Sequence, residues 1–346
     1  MLFLICIIPF SLVFIVKHYY PKEMTWLELS AACLGSIIVG SCVYYTSLYS
    51  EMSDTQILSG YVTGKERDVV SCEHSYSCNC RTVRTGKTTS TRCKTCYRHS
   101  FDIDWLVKSN IKNFKISRVD SQGLLEPRRY TDAIINEPVA VQDTYTNYVK
   151  GAKDSLFNLT KYTNYTDMPE YPLNVYDYYK LDRTIVYSGI NAPKKEYDTM
   201  LSEILKTLGS SKEVNIVLVL SNKDLENSLK LQTKFLGGKK NDVVIVVGTK
   251  NYPKIDWVNV FGWSKNEMLN VKLRDDIYRL GNLSANTLSP VIVNDVNKFY
   301  VRREMKDFEY LKDEIHPSMT MMIVAFIISL LCSIGLSWTF VKHEVM

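Results

Sequence analysis

Val214–Asn222 reads VNIVLVLSN, and Asp242–Gly248 reads DVVIVVG. Both runs have strand length and are apolar at odd and even positions alike, so strands built from them bury both faces. A sheet of that kind needs helices on either side, and the flanking sequence supplies them. Upstream, Met200, Leu201, Ile204, Leu205 and Leu208 fall on one helical face, with Gly209 placed as a C-cap. Between the runs, Asp224 is an N-cap candidate for a helix with Leu225, Leu229 and Phe235 on its apolar side, ended by Gly237–Gly238. Downstream, Trp257–Trp263 (WVNVFGW) is a third strand candidate. Glu267–Leu280 carries Leu269, Val271, Leu273 and Ile277 at helical spacing, and Pro290 in an N1 position opens a helical pattern toward Ile315. Residues 197–316 are therefore expected to form an α/β/α sandwich.

Residues 50–125 have a different character. FDIDWLV (Phe101–Val107) alternates Phe101, Ile103 and Trp105 against Asp102 and Asp104, the period of a half-buried strand, and FKISRV repeats it with Phe114 and Ile116. Arg81–Arg92 (RTVRTGKTTSTR) is polar, basic and contains Gly, the composition of a hairpin loop. Residues 126–196 are weakly periodic and rich in Tyr, among them Tyr145, Tyr148, Tyr162, Tyr165, Tyr171, Tyr176, Tyr178, Tyr179 and Tyr187. They are expected to be a loop-rich connector; a binding surface is the sharper alternative.

The two ends are apolar. Trp26–Leu48 and Met319–Val341 are long enough to cross a hydrocarbon layer of about 30 Å. Glu28 lies at the end of the first, within reach of headgroups, and Gly35, Ser36, Gly40 and Ser41 suit close helix packing. Leu2–Val16 is shorter. With no basic segment before it and no small-residue cleavage site after it, it is read as a third span rather than a signal peptide. Residues 1–49 are thus assigned to two transmembrane helices and 317–346 to a third with a short tail. Lys17, His18 and Lys22 in the short loop, and Lys342 and His343 in the tail, put both on the cytoplasmic side; Arg302, Arg303 and Lys306 point the other way. The fold class expected is an α+β membrane protein, a Cys-rich β unit plus an α/β/α sandwich between N-terminal and C-terminal transmembrane helices, with the soluble part extracytoplasmic (periplasmic).

With 346 residues, 46% of them apolar, the chain can bury a sizeable core. Its net charge of +5 reads as mild and spread, which gives no case for nucleic-acid binding. No P-loop, dinucleotide fingerprint or G-x-S-x-G is present. Within 50–317 the only histidines are His74, His99 and His316, so a His-dependent triad has only the Cys-rich segment to draw on. The sequons at Asn158, Asn164 and Asn282 matter only in a eukaryotic secretory route.

LGGKKNDVVIVVG, IDWVNVFGW and LRDDI resemble a TPM-type domain, a family of membrane-tethered extracytoplasmic α/β/α sandwiches, over roughly residues 197–315. The resemblance implies, weakly, phosphatase activity or calcium binding, carried over onto Asn222, Asp224, Asn241 and Asp242. The plain alternative is an N-cap at Asp224 and a turn at Asn241–Asp242. SGYVTGKERDVVSCEHSYSCNC, CYRHSFDIDW and YTNYVKGAKDSLF resemble a conserved, uncharacterised membrane protein of tailed bacteriophages, a family that implies no particular activity.

Five of the nine cysteines lie in Cys72–Cys96. Cys78-x-Cys80 and Cys93-x2-Cys96 are 12 residues apart, a spacing that a hairpin can fold into a tetrahedral zinc site. Arg81, Arg84, Lys87, Arg92, Lys94 and Arg98 would offset thiolate charge, and Cys72, His74 and His99 are alternate ligands. In an oxidising compartment the same four cysteines would instead pair across the hairpin as disulfides, and a redox Cys93-x-x-Cys96 is a third alternative. Cys6, Cys33, Cys42 and Cys332 read as small apolar residues of the membrane segments. Two functions follow: an interaction or structural protein of the bacterial envelope, with the bilayer and another membrane or envelope protein as partners; or a TPM-like divalent-cation hydrolase, which requires Asp224 and Asp242 to converge.

Overall fold

The computed structural model describes residues 2–85, 88–155, 165, 167–177 and 179–343. Lys87, Asn158, Tyr162, Asn164 and Tyr178 lie outside them. The chain forms α1 (Leu2–Tyr19), α2 (Trp26–Met52), β1 (Ser53–Val70), β2 (Ser75–Thr85), β3 (Thr88–Tyr97), β4 (Asp102–Ser109), β5 (Phe114–Ile116), α3 (Arg128–Asp132), β6 (Pro138–Thr146), α4 (Tyr148–Gly151), β7 (Thr184–Val186), α5 (Lys194–Lys212), β8 (Asn215–Ser221), α6 (Leu225–Lys234), β9 (Asp242–Gly248), β10 (Trp257–Gly262), α7 (Met268–Arg279), α8 (Ala285–Phe299), a 3-10 stretch Met305–Glu314 and α9 (Met319–His343). It divides into a helical unit (1–55, 144–163 and 304–346) and a sheet unit (56–143 and 164–303).

In the helical unit α1, α2 and α9 pack on one another. α2 and α9 are each long and apolar enough to cross a membrane. Small residues recur four apart and buried on both: Ala32, Ser36 and Gly40 on α2, and Ala325, Ser329, Ser333 and Ser337 on α9. Ser36 Oγ meets Ser333 Oγ at 2.6 Å, and Ser329 Oγ donates to the Ser36 carbonyl at 3.1 Å. The packing expected at Gly35–Ser41 is thus present, and α9 supplies the matching half. Glu28 does not reach outward as expected. It is buried in a capping box, accepting from Thr25 N at 2.7 Å while its own N–H donates to Thr25 Oγ1 at 3.2 Å. Asp54, also buried, accepts from Tyr145 Oη and Asn147 Nδ2.

The sheet unit holds two four-stranded sheets, β5-β4-β1-β6 and β10-β9-β8-β7. β7, β8 and β9 run parallel, with β10 antiparallel at the edge. Every residue of β8 and β9 is buried, as their apolar pattern requires. One face of this sheet meets Leu201, Leu205 and Leu208 of α5, Leu269, Leu273 and Ile277 of α7, and Leu288, Ile292 and Val296 of α8. The other face meets Leu231 and Phe235 with Met168, Tyr171 and Tyr187.

Four expectations need correction here. Gly209 does not cap α5, which continues to Lys212 and ends at Glu213 in the left-handed region; Gly209 is where Ser59 passes so closely that a Cβ would stand 2.6 Å from its side chain. α6 buries Ser228 and Leu231, while Leu225 and Leu229 face solvent. α8 starts from the Ser284 N-cap and holds Pro290 inside it, and the chain breaks at Tyr300 before the 3-10 stretch. The 126–196 connector is not separate, since β6 joins the first sheet and β7 the second. Most of its described tyrosines are packed, Tyr145 and Tyr179 being buried and Tyr171 lying against Phe235.

A polar chain joins the sheets. Arg183 is 3% exposed; its Nη2 donates to Ser59 Oγ on β1 at 2.8 Å, and its Nε to Asn215 Oδ1 at 3.2 Å. Asn215 Nδ2 passes the bond on to Asp242 Oδ1 at 3.0 Å, and Asn241 Nδ2 donates to the Ile57 carbonyl at 2.7 Å. Burial pushes Arg183 down to about 10, against the opposing pull of Tyr171 and Asp198. Burial pushes Asp242 up, against the hydrogen bonds from Asn215 and Lys239.

Candidate functional site

The chemistry-bearing residues gather where β2 and β3 leave the first sheet. β1 and β4 are paired as far as Val70↔Asp102, and β2 and β3 pair from Ser75↔Tyr97 outward to Thr85↔Thr88. After a register shift between Cys78 and Arg81 the ladder therefore continues through Arg81–Thr85 and Thr88–Arg92, which are not the loop their composition suggested; their Thr residues are good strand formers. The result is a two-stranded arm whose described side chains are nearly all exposed. Such an arm is marginal in water without cross-links. Cys78 is bonded to Cys96 and Cys80 to Cys93. Of the alternatives open for these four cysteines, this is the cross-hairpin one. With both sulfurs of each pair in a covalent bond, Cys78, Cys80, Cys93 and Cys96 do not form the proposed zinc site, and Cys93 and Cys96 do not form a redox pair with each other.

The arm also locates the charge. Residues 71–100 hold six Lys and Arg against one acid, the same surplus as the +5 of the whole chain. The basic excess is therefore concentrated, not spread. Arg81 stands directly opposite Arg92 in the ladder, a like-charge pair that works against strand pairing.

At the neck, Cys72, His99 and Asp102 place a sulfur, a nitrogen and an oxygen within 4.8 Å of one another. Cys72 Sγ lies 3.7 Å from His99 Nδ1, and His99 Nδ1 lies 3.1 Å from Asp102 Oδ1. Asp102 is fully buried, and its other oxygen accepts from Glu73 N at 2.9 Å and Arg118 Nη1 at 3.0 Å. The Glu73 N–H holds its carboxyl below the usual carboxylate value, with burial opposing and His99, Cys72 and Arg118 assisting. Next to it, burial pushes Asp104 up, but Lys115 and Arg118 outweigh that and keep it low. β4 is thus buried on both faces toward its start; its two acids are covered by cations rather than by water, and Phe101, just before the strand, is exposed. Cys72 and His99 were alternates in the sequence, whereas Asp102 was missed, although its position three residues after His99 was a readable signal.

This trio is not a nucleophilic triad. A triad needs the nucleophile on one ring nitrogen and the orienting acid on the other. Here Cys72 and Asp102 both address Nδ1.

Asn222, Asp224, Asn241 and Asp242 are not brought together. Asn241 and Asp242 stand at the start of β9, level with Asn215, whereas Asn222 and Asp224 follow the far end of the parallel β8. Six residues of strand separate the two ends, about 20 Å. Asp224 caps α6 by accepting from Asn227 N, Asn222 Nδ2 donates to the Ser188 carbonyl at 3.0 Å, and Asn241 and Asp242 belong to the buried chain described above. A cation held by these four residues has no geometry in the fold.

A cleft of about 680 Å³ lies beside Arg183, Lys194 and Asp198. Lys194 there is answered by the cleft's own acids, bonding Asp182 at 2.7 Å and Asp198 at 2.9 Å.

Comparison of the chain with known protein families, characterised proteins and solved structures finds no match.

Proposed function

We propose that the protein is a membrane-anchored, extracytoplasmic interaction protein that presents the disulfide-bonded basic arm to the acidic face of another envelope protein. The observation that carries this is Arg81 opposite Arg92 beside the Cys80–Cys93 bond. A pair that weakens its own ladder, held by a covalent staple on an exposed arm, is arranged for a partner rather than for stability. The apolar lengths of α2 and α9 support anchoring in a bilayer. The disulfides and the Lys/Arg bias of the short loop and tail support a body outside the cytoplasm and a cytoplasmic C-terminus. The sequence resemblances point to a phage-encoded protein at a bacterial envelope and to a TPM-type fold for the C-terminal half. The hydrolase alternative is not carried forward, because Asp224 and Asp242 stand at opposite ends of their strands.

Photo-cross-linking from Val83 in intact cells tests this. An adduct to one envelope protein is expected, lost when Arg84 and Arg92 are changed to Glu. No adduct, or an adduct indifferent to that reversal, would refute the role. Trypsin added to spheroplasts should cut the body and spare a C-terminal tag; a protected body would overturn the placement.

A further inference from the structure

The neck trio goes beyond anchoring and docking. We propose that Cys72, His99 and Asp102 bind a divalent ion of the zinc class, which fixes the arm to the sheet. In a tetrahedral zinc site, bonds of about 2.3 Å to sulfur and about 2.0–2.1 Å to nitrogen and oxygen place sulfur and nitrogen about 3.6 Å apart, and nitrogen and oxygen about 3.3 Å apart. The corresponding distances here are 3.7 and 3.1 Å, each within a few tenths of an ångström of the site's geometry, and sulfur and oxygen lie within 4.8 Å of each other. Hydrogen bonds already draw the three donors together: His99 Nδ1 meets Asp102 Oδ1, and the Cys72 thiol is shared among Asp102, His99 and the His74 carbonyl, the last at 3.7 Å. A cation accepts all three lone pairs at once. Binding releases the thiol proton and leaves the imidazole proton on Nε2, so the ion meets a thiolate, a neutral imidazole and a carboxylate.

The surroundings are already set for it. Glu73 N–H and Arg118 fix Asp102 through the oxygen that the ion does not use. Arg118 is in turn neutralised by Asp104. The ligands come from the two feet of the arm, and ladder pairs on either side, Val70↔Asp102 and Ser75↔Tyr97, hold those feet in register. The fourth position falls to water or to His74, whose ring stands edge-on to His99 with centroids 6.1 Å apart. A mixed sulfur, nitrogen and oxygen set selects zinc-class ions over calcium or magnesium, which prefer all-oxygen shells.

The test uses the full-length chain in detergent, stripped with a chelator and reloaded with Zn²⁺ or Co²⁺, with both disulfides verified by intact mass. One ion per chain is expected, together with a thiolate-to-cobalt charge-transfer band that Cys72→Ser abolishes and Cys42→Ser retains. Asp102→Asn should weaken Zn²⁺ by at least about tenfold, the least that losing an orienting partner costs. Failure of the wild type to retain Zn²⁺, or a cobalt band that survives Cys72→Ser, would overturn the site and leave a hydrogen-bonded cluster only. Should Cys72→Ser not fold, alkylation of Cys72 in the wild type decides: Zn²⁺ must slow it, and an equal rate with and without Zn²⁺ overturns the proposal.

Discussion

Arg183→Met tests whether the two sheets are held together by the polar chain. Methionine keeps much of the stem and removes the guanidinium. Ser59 Oγ on the first sheet and Asn215 Oδ1 on the second then lose their donor, at bonds of 2.8 and 3.2 Å. An orphaned buried acceptor costs about 1–3 kcal/mol, and breaking a buried charged network from one side costs about 3–5 kcal/mol. Relief from burying a cation offsets part of this, so a net loss of about 3 kcal/mol is expected. Urea unfolding of the full chain in detergent reads it by tryptophan fluorescence, with Trp105 in the first sheet and Trp257 in the second. Adding Asp242→Asn should cost less than the sum of the single changes by about 1 kcal/mol or more, because Asn215 couples the two sites. A loss below about 1 kcal/mol for Arg183→Met, or strict additivity, would show that apolar packing alone joins the sheets.

Opening Cys80–Cys93 by a double change to Ser should loosen the arm by about 3 kcal/mol, given a sequence separation of 13; trypsin should then cut at Arg81 and Arg92 while the Trp105 emission stays native. Ser333→Leu should split α2 from α9, because the site holds a 2.6 Å hydroxyl contact, whereas Ser333→Ala should cost only about 0.6 kcal/mol; thermal unfolding in detergent separates the two variants. The carboxyls of Asp102 and Asp104 lie below their ordinary values, as does that of Asp120, which accepts from the backbone N–H of Leu125 and also from those of Leu124, Gly123 and Gln122. Their contribution is complete above the ordinary carboxylate pKa and is lost as pH falls through the folded-state values. Asp242, pushed up, has the opposite sign, and its strain eases as pH falls. Acid titration of unfolding should therefore show a loss that Asp120→Asn reduces; an unchanged profile would contradict this.

What the sequence made legible follows from how local each signal is. The strands at Asn215–Ser221 and Asp242–Gly248 were readable because burial on both faces leaves an apolar run that nothing else explains. The Asp224 cap was readable because a cap needs only its own helix. The failures are non-local. Gly209 is Gly because Ser59, far away in the chain, passes against it. β4 broke the alternation rule because Arg118 and Lys115 cover its acids. The acids proposed to share a cation were judged by closeness to strands, without the strand direction that separates them.

The cysteine segment shows why topology and ligand spacing have to be decided together. Two short Cys pairs across a hairpin satisfy a zinc site and two disulfides equally well, because both need the same approach of the strands. Disulfides occupy those four sulfurs here, and Cys72 is the cysteine of this segment left with a free thiol. Its place at the neck, beside His99 and Asp102, is set by the pairing of Val70 with Asp102. The staples that exclude a metal from the arm therefore also fix the register of its feet. Replacing Cys78, Cys80, Cys93 and Cys96 by Ser, which opens both staples without freeing thiols, should therefore weaken Zn²⁺ at the neck although none of its ligands is touched. Unchanged Zn²⁺ affinity in that variant would mean that the β1–β4 ladder alone positions the ligands.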